Sequence, residues 1–189
     1  METLNVIEAG WLIWIQNNLR NPFGNAVMPI LSWSNEAGAI TIVMTLILII
    51  WKKYRNVGIA SAVSLVIEFA LLNLVLKPWI DRVRPYNVNE MLTTIVNRPH
   101  DASFPSGHAG AAFAVAFVML FAMPKSYGIP AIIVAALISF SRLYNGVHYP
   151  TDVLAAIVLA LITAVASIKL VLPRITAYLE KREEKKTQE

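Results

Sequence analysis

Cysteine is absent from the 189-residue chain, so neither a disulfide framework nor a thiolate metal site can form. Charge is scarce as well. Only 15% of residues are Asp, Glu, Lys or Arg against 57% hydrophobic, and mean hydropathy is +0.58. That balance lies on the membrane side of the usual soluble composition. Acidic residues are the scarcer sign, 12 against 16 basic ones, which leaves a net charge of +4. The excess does not read as a nucleic-acid footprint, because much of it sits in tails and short loops flanking apolar runs, where it reports membrane orientation. A basic leader ahead of the first apolar stretch is missing too. Glu2 and Glu8 open the chain instead, so no cleavable signal peptide is expected. There is no internal repeat and no low-complexity segment beyond a short charged tail.

What the chain does have is a series of apolar runs near the length of about 20 residues needed to cross a hydrocarbon core. They predict an all-α polytopic helix bundle with five membrane spans, at 28–51, 57–76, 107–123, 128–140 and 153–172. Ahead of them, residues 4–19 carry Val6, Ile7, Trp11, Leu12, Trp14, Ile15 and Leu19 in a one-sided pattern interrupted by Glu8, Gln16 and Asn17. This segment reads as an amphipathic interfacial helix with its tryptophans near the headgroups; a helix packed within the bundle is the alternative. The domain organisation expected is a single unit over 1–172 followed by a charged cytoplasmic tail, 173–189.

Five spans place alternate loops on opposite sides. One side holds Lys52, Lys53, Arg55, Lys125, Lys169, Arg174, Lys181, Arg182, Lys185 and Lys186; the other holds Arg20, Lys77, Arg82, Arg84, Arg98 and Arg142. The richer side is expected to be cytoplasmic. Three polar blocks then fall together on the extracytoplasmic side of a cell membrane: Lys77-x6-Arg84-Pro85, Pro105-Ser106-Gly107-His108, and Ser141-Arg142-x5-His148-x3-Asp152.

Each block alone has an ordinary explanation. The first could be basic side chains snorkelling to the interface, and Arg82 reads that way. The second could be a helix cap with a surface histidine, and the third a structural His–Asp pair. Jointly they supply what phosphoryl transfer to a histidine requires. Lys77, a point charge, and Arg84, a planar fork, neutralise and orient a phosphate from different directions, with Arg142 as a third cation. Ser106 and Gly107 open a helix whose unpaired N–H groups face an anion, Ser106 able to cap it and donate a hydroxyl. His148, four residues before Asp152, suits the nucleophile, its tautomer fixed by the carboxylate. His108, with no adjacent carboxylate in sequence, suits the acid that protonates the leaving oxygen.

The three blocks resemble the tripartite signature of the type 2 phosphatidate phosphatase superfamily, membrane lipid phosphatases related to vanadium haloperoxidases. The resemblance runs from Lys77 to Asp152. It implies that Lys77, Arg84, Ser106, Gly107 and Arg142 bind phosphate, that His108 is the acid, His148 the nucleophile and Asp152 its partner, and that neither metal nor other cofactor is needed. The implied substrate is a lipid phosphate, with the undecaprenyl diphosphate type similar in length and layout, and phosphatidylglycerophosphate or phosphatidate as alternatives. A silent headgroup-binding or transport protein and a vanadate-dependent peroxidase are the rival readings. Among the remaining polar residues, Glu68 and Asn73 are expected to bond between helices. Arg98, His100 and Asp101, in the loop before the second block, are placed to gate entry or touch a headgroup. The small residues Gly107, Gly110, Ala111 and Ala114 mark a close helix contact.

Overall fold

In lipid a backbone polar group finds no water to bond, so a chain this apolar satisfies its N–H and C=O groups by folding into helices. The computed structural model describes residues 2–175, 177 and 178, and among them every regular element is helical. The principal α-helices are α1 (Glu2–Asn18), α2 (Pro22–Ser34), α3 (Ala39–Ile50), α4 (Arg55–Phe69), the short α5 (Lys77–Ile80) and α6 (Pro85–Val88), α7 (Gly107–Ala122), α8 (Lys125–Tyr144) and α9 (Pro150–Ala166). Most of the tail expected from 173 onward lies outside the described residues.

Three stretches are long and apolar enough to cross a membrane: Lys52–Val88, Lys125–Tyr144 and Pro150–Ile175. The protein is a polytopic membrane helix bundle. The expected span 28–51 is not one straight helix. α2 and the run Glu36–Ile50 meet at 45°, because the polar Ser34-Asn35-Glu36 interrupts the apolar run and Ala37 and Gly38 take left-handed conformations, φ 49° and 77°. Asn35 fixes the break, its Nδ2 donating to the His108 carbonyl at 3.1 Å. α7 has 16 residues and falls short of the spanning length test; at ~1.5 Å per residue it extends about 24 Å.

α7 occupies the centre, packed against α4, α8 and α9. Small residues permit this. A Cβ added at Gly110 would stand 2.6 Å from Leu72 Cδ2 and 2.7 Å from Glu68 Oε1, so the small-residue strip is a close contact with α4 and the helical turn that follows it. At the far end, a Cβ at Gly58 would lie 2.5 Å from the Ile49 backbone and one at Gly128 2.5 Å from Leu120 Cα, which lets α4 and α8 begin flush against the helices before them. Leu48, Tyr54, Val57, Val115, Val118, Met119 and Met123 fill that end with apolar contacts. Glu68 bonds between helices as expected, its Oε2 accepting from Thr163 of α9 at 3.3 Å. Asn73 instead donates to Phe69 O of its own helix.

α1 packs by one face across the other end of the bundle. Ala9 and Leu12 meet Leu92 and Tyr149, while Trp11 and Trp14 point outward, 62% and 57% exposed. Glu8, which interrupts the apolar pattern in the sequence, is buried at 3% exposure.

Candidate active site

Three chain segments converge at the end of the bundle where α7 begins. A π-helical stretch, Ala70–Leu76, continues α4 and delivers Lys77 at the head of α5. The turn between α8 and α9 carries His148, held by Gly146 at φ 75°, where a Cβ would meet the Thr93 carbonyl at 2.9 Å. The 89–106 loop runs between them and ends at Ser106, the N-cap of α7. A cavity of about 490 Å³ opens at the meeting point, lined on its polar side by Lys77, Arg84, Asp101, Gly107, His108, Arg142 and His148 and on its apolar side by Ile42, Leu65, Val66, Phe69 and Leu72.

Six of the eight sequence-predicted site residues therefore line the cavity wall: Lys77, Arg84, Gly107, His108, Arg142 and His148. Asp152 stands behind His148 rather than in the cavity. Ser106 is buried beneath the wall and makes no side-chain cap for α7, contrary to the capping expectation; its N–H donates to the Asp152 carbonyl at 3.0 Å and its Oγ has no hydrogen-bond partner among the described residues.

His148 has the expected Asp152 beside it and a second acceptor closer still. Its Nδ1 lies 2.8 Å from the Ser103 carbonyl and 3.5 Å from Asp152 Oδ2. A carbonyl only accepts, so Nδ1 carries the proton, and the principal orienting acceptor is a backbone oxygen, with the carboxylate alongside. The lone pair of Nε2 is left toward Arg84 Nη1, 3.4 Å away. Burial pushes the His148 ring below its ordinary value, to about 4; Asp152 opposes this, and the Arg84 and Arg142 charges add to it.

Asp152 is committed elsewhere. It accepts from Ser103 Oγ at 2.5 Å, from the Tyr149 N–H at 2.8 Å and from Arg82 Nη1 at 2.6 Å. Arg82 is thus no snorkelling side chain but the hub of a buried network. Its Nη2 donates to Glu8 Oε2 at 2.5 Å and Asn5 Oδ1 at 2.7 Å, and its guanidinium lies 3.9 Å over the Tyr149 ring. Glu8 also accepts from the Thr151 N–H at 2.7 Å, so α1 is tied to the start of α9. The sequence held one clue: a carboxylate on the apolar stripe of a membrane-associated helix needs a buried cation.

The remaining cations have distinct partners. Lys77 Nζ pairs with Asp101 Oδ2, and Arg84 Nη2 donates to Asp101 Oδ1 at 2.7 Å. Arg142 Nη1 donates to Ser32 Oγ of α2, while its Nε has no partner among the described residues. His108 Nε2 is likewise without a hydrogen bond there, with Glu36 Oε2 at 3.5 Å. Among the described residues no group of three or more His, Asp and Glu side chains is gathered to hold a metal ion.

The class these features define is a membrane helix bundle with three cations and two imidazoles around one cavity. The residues 57–175 match the PAP2 superfamily, and the chain belongs to that family. It is 39% identical over 116 residues to the undecaprenyl-diphosphatase of Sulfolobus acidocaldarius, covering 61% of this chain and 56% of that one. It is 34% identical over 160 residues to phosphatidylglycerophosphatase B of Bacillus subtilis, covering 76% and 73%. The chain spans about half the length of the first of these relatives. The crystal structure of a PAP2-type phosphatidylglycerolphosphate phosphatase from Bacillus subtilis superposes with a TM-score of 0.71 at 25% identity, over 88% of this chain and 85% of that one.

Proposed function

We propose that the protein is an integral membrane lipid phosphatase that acts without a metal ion through a phosphohistidine, and that its substrate is undecaprenyl diphosphate, released as undecaprenyl phosphate. The observation that carries this reading is that Arg142 and His108, whose Nε and Nε2 atoms make no hydrogen bond among the described residues, line the same cavity as Lys77, Arg84 and His148. Buried polar atoms without a partner are uncommon, and here each can bond a phosphate oxygen. The apolar wall of Leu65, Val66 and Phe69 continues from that point and suits the lipid chain.

In the proposed reaction His148 Nε2 attacks phosphorus, its Nδ1 proton held by the Ser103 carbonyl and the developing imidazolium charge stabilised by the nearby Asp152. Lys77, Arg84 and Arg142 neutralise the equatorial oxygens, with Ser106 and the Gly107 N–H as further donors. His108 protonates the departing oxygen; Glu36 forms an ion pair with its ring when that ring carries the proton. Water, deprotonated by His108, then attacks the phosphohistidine and returns His148. The site end is proposed to face the extracytoplasmic side of the plasma membrane, supported by the placement of Lys and Arg, and the segment 173–189 is proposed as a cytoplasmic tail.

The test is phosphate release from undecaprenyl diphosphate by the purified protein in excess chelator, compared with His148→Ala. The expected outcome is turnover in the parent and at least a thousandfold loss in the variant, on the order seen when a nucleophile is removed. Turnover that survives in the variant, or that demands a divalent ion, overturns the mechanism. Faster release from phosphatidylglycerophosphate or phosphatidate reassigns the substrate and leaves the chemistry standing.

A further inference from the structure

Two of the three cations assigned to phosphate are already held by one carboxylate. Asp101 divides its oxygens between them, Oδ2 on Lys77 and Oδ1 on Arg84, which is how two oxygens of a phosphate would be shared. Both cations are nearly buried, whereas the Asp101 side chain is 51% exposed. Its burial would raise the carboxyl, but the bonds and charges of Lys77 and Arg84 outweigh that and hold it at about 2, so the group stays ionised throughout the range in which the protein works.

The backbone around Asp101 is fixed. Arg84 Nε donates to the Asp101 carbonyl at 2.8 Å, the Tyr86 hydroxyl to the Pro99 carbonyl at 2.5 Å, and the Ser103 N–H to the Arg82 carbonyl at 2.8 Å. Freeing the cations thus requires rotation of a side chain, not opening of a loop. The space for that rotation exists. Asp101 stands between the substrate cavity and a second, outer cavity of about 380 Å³ whose wall includes Arg98 and His100.

On the reading of the site as a lipid phosphatase, we infer that Asp101 is an affinity-determining residue, a tethered anion that competes with the phosphate of the substrate for Lys77 and Arg84 and swings toward the outer cavity when the phosphate binds. Every phosphate must displace it, which weakens ground-state binding. The same carboxylate returns to the cations as product phosphate leaves, which prevents the product from staying on three positive charges. Asp101 touches no reacting atom, so its effect falls on binding and release rather than on the bond-breaking step.

The experiment measures inhibition by orthovanadate and steady-state hydrolysis of undecaprenyl diphosphate for the full chain, for Asp101→Asn and for Asp101→Ser, with thermal melting to confirm that each variant is folded. The expected result is an inhibition constant for orthovanadate lower by on the order of tenfold or more, the size of one charge-assisted contact. KM should fall with it, and kcat should fall where phosphate release limits turnover. An unchanged or weaker orthovanadate affinity in the folded variants overturns the inference, since a residue that merely props Lys77 and Arg84 in place would produce loss rather than gain. Should the Asn variant fail to fold, the Ser variant decides on the same criterion. A parent protein that neither hydrolyses lipid phosphates nor binds orthovanadate defeats the phosphatase reading itself, whereas a working parent with an indifferent Asp101→Asn defeats this inference alone.

Discussion

The two ends of α7 are buried by opposite means. The end where it begins carries most of the buried ionic and polar side chains, among them Arg82, Arg84, Arg142, Ser103, His148, Asp152 and Glu8. Around its last turns the buried cluster is hydrophobic: Leu48, Tyr54, Val57, Val118, Met119 and Met123. The first end depends on direction, because each charge is compensated by specific partners at specific angles and loses that compensation if one of them goes. The second depends on volume, because dispersion contacts are many, weak and indifferent to orientation. A membrane bundle can therefore be held together at one end and made specific at the other.

The sharpest way to break this contrast is Arg82→Ala. It removes the shared partner of Glu8 and Asp152 from a buried site, with an expected destabilisation of about 3–5 kcal/mol. Displacement of Asp152 and His148 by even a fraction of an ångström is expected to slow turnover on the order of a hundredfold. Thermal unfolding in detergent together with phosphate release measures both, and a variant with normal melting and rate would show the ionic end to be no more demanding than the other.

A smaller effect is expected from Leu48→Ala at the aliphatic end. Lipid surroundings leave mainly the lost packing contacts to count, about 2 kcal/mol. The rate per folded molecule should stay within about twofold of the parent; a large change in kcat/KM would mean that the two ends are coupled through α7.

The smallest effect concerns acid. In the proposed mechanism His148 attacks only with Nε2 unprotonated, and burial sets its ring at about 4 rather than the ordinary 6.5. The ring in the folded protein is therefore neutral above about 4, and the loss of kcat/KM that belongs to protonation of His148 should come only as pH passes about 4, not near 6.5. An acid limb centred near 6.5 would place His148 in a wetter setting than the one described.

The residues that announce themselves by type and spacing were legible in the sequence. Lys77, Arg84, Gly107, His108, Arg142 and His148 stand in short blocks, and folding brings them to one cavity. What escaped was carried by backbone or by pairing over long separations. The Ser103 carbonyl that orients His148 has no side-chain signature at all. Glu8 and Arg82 lie 74 residues apart, and each alone imitates something common, a polar interruption and a snorkelling cation. Asp101 is marked in sequence only as a loop residue near a headgroup, and Glu36 not at all, because their partners belong to other elements. The helix count met a similar limit. Hydropathy marks where a run is apolar but not where it bends, and the break at Ala37 and Gly38 follows from local conformation and from the hold of Asn35 on α7.

The π-helical stretch Ala70–Leu76 has a consequence for how this protein can change over time. A π turn accommodates an additional residue, so it offsets the angular phase of everything downstream relative to an uninterrupted α-helix. Lys77 meets the cavity because of that offset. Shortening the chain by one position just upstream would let the coil heal into a regular α-helix, a locally comfortable outcome, while swinging the ammonium away from the place where anions gather. A harmless-looking deletion in greasy sequence would then silence the chemistry, while length-keeping substitutions at the exposed Leu74 and Val75 of the same stretch would pass largely unnoticed.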